Sequence, residues 1–156
     1  MDDVAIARAI HVLAVVVWIG GVSMVTTALL PAARGDADGF ALFQRVERRF
    51  AWQARVATLL AGASGFYMVV RFELWERFAE PHYWWMTAMV AVWAIFSFVL
   101  FIAEPLFLER WLRARAAARP QATFALLLGF HWVMLVLSLI TVFGAVAGSH
   151  GFAAFS

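Results

Sequence analysis

The sequence predicts an all-α membrane protein: a four-transmembrane-helix up-down bundle with both termini periplasmic. Three observations predict it. Of the 156 residues, 65% are hydrophobic and only 14% are charged, whereas soluble domains average roughly 45–50% apolar and about 25% charged residues. Four apolar stretches each reach the roughly 20 residues that a membrane helix needs. The arginines gather on one of the two sides that these stretches define. Nucleic-acid binding is excluded despite a pI of about 9.9, because the net charge is only +2 and no basic stripe stands free of apolar runs. Cysteine is absent, which excludes disulfides, thiolate metal sites and covalent c-type haem attachment.

The first span covers residues 4–30 and is expected to stop at Pro31. Its leader, Met1-Asp2-Asp3, lacks the basic n-region of a cleavable signal peptide, so the span is expected to be retained. The second covers 50–70, with Gln53 and Arg55 near its start, and the third covers 83–108. The fourth covers 122–148 and follows Pro120, whose fixed φ suits a helix start. The whole chain, 1–156, reads as one integral membrane domain.

Arginine placement orients the spans. One side carries Arg34, Arg45, Arg48, Arg49 and Arg55, and then Arg110, Arg113, Arg115 and Arg119; the other carries only Arg8, Arg71 and Arg77. Under the positive-inside rule the first side faces the cytoplasm, which sends both termini to the periplasm of a bacterial inner membrane. Between the first two spans, Phe43, Val46 and Phe50 repeat at helical spacing opposite arginines. This pattern predicts a short amphipathic helix on the inner leaflet. On the outer side, Phe72, Trp75, Phe78, Tyr83, Trp84 and Trp85 form an aromatic belt. No internal repeat is found, which argues against a self-contained alternating-access transporter.

Ionisable and ligand-type residues within spans are costly and mark candidate sites. His11 lies about seven residues into the first span, roughly 10 Å below the outer surface at 1.5 Å per residue. His131 lies near mid-membrane in the fourth; His82 precedes the third and His150 follows the fourth. Alternating helix directions put His11, His82 and His150 in the outer half, where a bundle would let them converge. Neutral imidazole ligates metals and haem iron, and two histidines on facing helices can hold a haem plane between them. Gly20, Gly21, Gly62, Gly65, Gly129 and Gly144 offer close approach to a flat cofactor or, equally, helix packing. A membrane histidine also serves as interhelical glue.

Copper is the competing ligand. His82, Met86 and Met89 stand at i, i+4 and i+7 on one helix face, and imidazole with thioether suits Cu(I). Met68, Met24 and Met134 would extend such a route; all of these methionines also serve as core filler. Glu104, next to Pro105, needs compensation at its depth, for which Arg49 or Arg55 is the expected partner. A proton relay is the functional alternative. No hydrolase or nucleotide-binding motif is present, and whether the chain is an enzyme stays open.

The segment Ile10-His11-Val12-Leu13-Ala14-Val15-Val16-Val17-Trp18-Ile19-Gly20-Gly21 resembles the first helix of the CopD copper-resistance family and of HemJ, the bacterial membrane protoporphyrinogen oxidase. Glu47-Arg48-Arg49-Phe50 fits both. Trp84-Trp85-Met86, Glu104-Pro105-Leu106 and the run from Gly144 to Gly151 resemble small membrane proteins grouped with CopD. The CopD resemblance implies periplasmic copper handling. The HemJ resemblance implies b-type haem with His11 as a ligand. HemJ also relies on a third-span lysine, whereas this chain has Met86-Thr87-Ala88-Met89 there and no lysine anywhere.

The expected function is therefore b-type haem binding through His11 plus one of His131, His150 or His82. Electrons would pass between membrane quinone, or another redox partner, and the periplasmic side. Pairing His11 with His131 requires tilt to close roughly 5–10 Å along the membrane normal. The alternatives are copper binding or transport through His11, His82, Met86, Met89 and His150, and a structural or assembly subunit without cofactor. The lipid bilayer is the expected surrounding, with an oligomer compatible.

Overall fold

The computed structural model describes residues 2–35 and 38–151. Every regular element among them is helical. Four long helices result: α1 (Asp3–Arg34), α2 (Gly39–Arg71), α3 (Pro81–Ala118) and α4 (Pro120–Ser149). A short 3₁₀ turn, Leu74–Ala79, joins α2 to α3, and Glu73 ahead of it takes a left-handed φ of 55°. The protein is an α-helical membrane protein: α1, α3 and α4 are each long and apolar enough to cross a bilayer. α2 matches them in length at 33 residues, but Arg45, Glu47, Arg48, Arg49, Gln53 and Arg55 make its first half polar.

α1 packs chiefly on α2, and α3 on α4. Trp18 joins the two pairs by meeting Phe96 edge-on, with ring centroids 4.8 Å apart. Around that contact Ala14, Val22, Ala57, Ala61, Val92, Met134 and Leu135 form the central core. Small residues on α2 let α1 approach, as expected where lipid removes any hydrophobic drive and packing must hold helices together. Glycines serve the same purpose by seating aromatic rings. A Cβ on Gly62 would stand 2.6 Å from the Trp93 indole, whose Nε1 donates to the Thr58 carbonyl at 2.9 Å. Trp84 and Trp85 press in the same way on Gly144.

Three expectations about the elements are corrected. The amphipathic segment after α1 does not lie as a separate helix on the leaflet. No proline or turn sequence interrupts 39–71, so the segment is continuous with residues 50–71 as one helix. Its apolar face turns to protein: Phe43 is only 1% exposed, packed with Leu30 and Ala33 of α1 and Phe124 and Leu127 of α4. Pro31 does not stop α1, and the third helix does not end at 108. Each helix absorbs its proline with a π-helical stretch, Val25–Leu29 before Pro31 and Val99–Leu108 around Pro105, and then continues. Widening the turn relieves the clash between the proline ring and the preceding carbonyls.

Candidate functional site

The π stretch of α3 leaves a backbone acceptor to be satisfied. In an i→i+5 pattern the amide facing the Leu100 carbonyl belongs to residue 105, a proline without N–H. Arg55 of α2 fills that role: its Nε donates to the Leu100 carbonyl at 3.1 Å, while its Nη2 pairs with Glu104 Oε1 at 3.2 Å. Arg55, rather than Arg49, is thus the partner of Glu104, and one guanidinium serves both the charge and the helix defect.

His11 stands on the α1 face that meets α2. Its Nδ1 lies 2.9 Å from the Ala61 carbonyl and 3.2 Å from Ser64 Oγ. A carbonyl only accepts, so Nδ1 carries the proton and Nε2 keeps its lone pair. No hydrogen-bond partner for Nε2 is found among the described residues. The ring sits against Gly65, where a Cβ would come within 3.1 Å of Cε1. An imidazole whose Nδ1–H is held by a backbone carbonyl has the orientation of a metal-ligating histidine.

His131 is half-buried on the inner face of α4, between Leu127 and Met134, and its Nδ1–H donates to its own Leu127 carbonyl at 2.8 Å. His150, exposed at the end of α4, does the same to Val146 at 2.8 Å. His82 lies in the 3₁₀ turn that opens α3, edge-on to Tyr83 with centroids 5.0 Å apart. Met86 is buried and Met89 half-buried. Met68 is half-buried, Met134 belongs to the core and Met24 is exposed.

The helix registers place these residues at different heights. Trp85 against Gly148, Trp93 against Gly62 and Trp18 against Phe96 put Trp18, Phe96 and Leu135 at one level. His11 lies seven residues from that level toward the end of the bundle that carries Asp3 and Ser149, and His131 four toward the opposite end. At 1.5 Å per residue they are separated by roughly 16 Å along the bundle. His82 and His150 share the end that carries Asp3 and Ser149, roughly 12 Å beyond His11 by the same count. Two axial nitrogens on one iron stand only about 4 Å apart, twice an ordinary metal–nitrogen bond. The expected convergence of His11 with His131, His82 or His150 therefore does not occur within one copy of the chain. The gap inferred from span ends was too small because the true registers are set by rings seated on glycines. No cluster of three or more His, Cys, Asp or Glu side chains suited to a metal ion occurs among the described residues.

Glu47 and Glu109, to which the sequence assigned no role, shape the end of the bundle opposite Asp3 and Ser149. Glu47 of α2 lines a cavity of about 30 Å³ together with Gln44, Arg48, Glu104 and Glu109. Arg48 Nη2 pairs with Glu109 Oε1 at 2.6 Å across the α2–α3 seam, and Arg113 joins the same oxygen. Glu47 makes no ion pair among the described residues. Burial, reinforced by repulsion from Glu104 and Glu109 and opposed by Arg48 and Arg55, pushes its carboxyl up to about 7. The sequence signal was the helical spacing of Phe43, Glu47 and Phe50, which places this acid on an apolar face. At the end that carries Asp3 and Ser149, a recess of about 360 Å³ opens among Phe78, Pro81, Trp84, Thr87, Ala88 and Ala91, and no histidine lines it.

Comparison with models of known protein families, with characterised proteins and with solved structures finds no match for this chain.

Proposed function

We propose that the protein spans a bacterial inner membrane four times, with both termini periplasmic, and holds b-type haem through His11. It would pass electrons between membrane quinone, or another redox partner, and the outer side. The single observation that carries this reading is the His11 ring, tied through Nδ1–H to Ala61 and Ser64 with Nε2 left unpartnered. Support for the fourth span comes from packing: α2 lies along α1, its charged Arg55 is paired with Glu104, and residues 56–70 carry no charged side chain. A helix held along a membrane-crossing neighbour crosses with it. The arginine bias supports the orientation.

The residues around His11 suit the group by their chemistry. One neutral imidazole presents a lone pair, a backbone carbonyl fixes its tautomer, and Gly65 leaves the ring its seat. Bound haem supplies one-electron chemistry at its iron. The chain's own part is to ligate at Nε2, to hold the ring against α2 and to surround it with an apolar wall. Because no second histidine stands at the height of His11, this chain offers His11 as its one histidine ligand.

The test is an absorption spectrum and metal analysis of protein purified in mild detergent and titrated with haemin. A stoichiometric Soret band, lost in His11→Ala and retained in His131→Ala and His150→Ala, supports the reading. Bound copper without a Soret band overturns it and transfers the site to His82, Met86 and Met89. Binding of neither makes His11 an interhelical tie.

A further inference from the structure

The inner seam between α2 and α3 is built around one carboxyl, Glu47, that makes no ion pair among the described residues. From α2, Glu47, Arg48 and Arg55 face the seam; from α3, Glu104, Glu109 and Arg113 do. Arg55 is engaged by Glu104, and Arg48 and Arg113 by Glu109. Glu47 lies between the two cross-helix pairs, closed over by Phe40, Phe43, Leu108 and Leu112. As a neutral acid it fits this cavity without disturbing either pair. As a carboxylate it adds a third negative charge to a seam whose cations are already taken, in a cavity too small for a full hydration shell.

The helix on the far side of the seam has a weak point at the same height. α3 is π-helical from Val99 to Leu108, and Pro105 removes an amide from its hydrogen-bond ladder. Beyond it, Glu109–Ala118 is a regular helix that forms an inner arm. Repulsion at Glu47 therefore acts across a joint, and not on a stiff rod.

We propose that this seam is a pH-operated latch. With Glu47 protonated, α2 and the inner arm of α3 are closed on each other. When the pH on the arginine-rich side of the membrane rises, Glu47 gives its proton to water, and the arm parts from α2 about the Pro105 joint. The step moves one proton and breaks no other covalent bond. The titration expected of Glu47, at about 7, falls within the range a cell interior explores. The latch acts at the inner end and does not depend on the reading of His11.

The chain has no cysteine, so two introduced ones are the only labelling sites. Ala41 on α2 and Ala117 on the inner arm are both exposed. In Ala41→Cys/Ala117→Cys protein carrying spin labels in lipid nanodiscs, the pulsed-EPR distance distribution is followed from pH 5.5 to 8.5. The expected result is a short distance at low pH that gives way to a longer one, with a midpoint near 7. Glu47→Gln in the same background stays short throughout. Glu104→Gln, which removes one repelling charge, moves the midpoint down. A distribution that does not change with pH overturns the latch, as does an unaltered transition in Glu47→Gln. Circular dichroism of each variant, matching the parent, ensures that the comparison is between folded proteins.

Discussion

Replacing Arg55 with methionine removes two donors from the middle of the α2–α3 seam while keeping most of the side chain's bulk. Two groups lose their partner. The Glu104 side chain, 20% exposed, is left without its counter-charge, and the Leu100 carbonyl loses its only side-chain donor, held at 3.1 Å. Breaking a fully buried ion pair from one side costs about 3–5 kcal/mol; the residual exposure of both partners reduces this to about 2 kcal/mol. An unsatisfied carbonyl adds about 1 kcal/mol. The expected loss is therefore about 3 kcal/mol, or roughly 6–12 °C in melting temperature at about 2–4 °C per kcal/mol for a chain of this size. Tryptophan fluorescence during heating reads it directly, because Trp93 packs beside the seam. Adding Glu104→Gln removes the stranded charge, so the double variant recovers about half of the loss. Arg55→Met within 2 °C or so of the parent would refute the reasoning. So would a double variant whose loss equals the sum of the two single ones.

Other substitutions probe other parts of the fold. Gly62→Ala drives a methyl to 2.6 Å from the Trp93 indole; overpacking costs about 1–3 kcal/mol, seen as a lower melting temperature, and a melting temperature equal to the parent's contradicts it. Glu47 links stability to pH. Its folded carboxyl is raised to about 7 from 4.5, so stability is fully present below about pH 4.5 and is lost as the pH rises through 7. At 1.36 kcal/mol per unit this amounts to at most about 3 kcal/mol. The parent therefore melts lower at pH 8 than at pH 5, whereas Glu47→Gln melts at the same temperature at both; a pH-independent parent contradicts it. Gly65→Val forces the His11 ring off its seat and away from the Ala61 carbonyl, so haemin affinity in a spectral titration falls at least tenfold. Unchanged affinity would place the ligand elsewhere.

The helices and their membrane character were legible because composition and apolar run length determine them. The proline features were not. Pro31 read as a span end in sequence and Pro105 only as the neighbour of Glu104, yet both helices run on past their prolines, and Arg55 supplies the donor that makes the second defect tolerable. That pairing was half legible: a carboxylate at the depth of Glu104 demands a cation, but which cation depends on register. The same dependence explains the histidines. Depth counted from span ends put His11 and His131 roughly 5–10 Å apart along the membrane normal, whereas ring-on-glycine contacts such as Trp93 on Gly62 set the helices so that they stand farther apart. The role of Gly65 was hidden for the same reason, since nothing in the sequence says which ring a glycine receives. Glu47 was given no role because a charged run reads as solvated until Phe40 and Phe43 are seen to line its cavity.

The most direct test of the central claim is the carbon monoxide difference spectrum of the dithionite-reduced, haemin-loaded protein. A haem held by His11, with no second histidine at its height in the same chain, would keep room for an added ligand. Carbon monoxide is then expected to bind and sharpen the Soret band, and His11→Ala to abolish that change. A low-spin spectrum indifferent to carbon monoxide would mean two strong protein ligands on one iron, which the heights of His11, His82, His131 and His150 do not allow within one chain. That result, or a carbon monoxide response that survives in His11→Ala, would contradict the account.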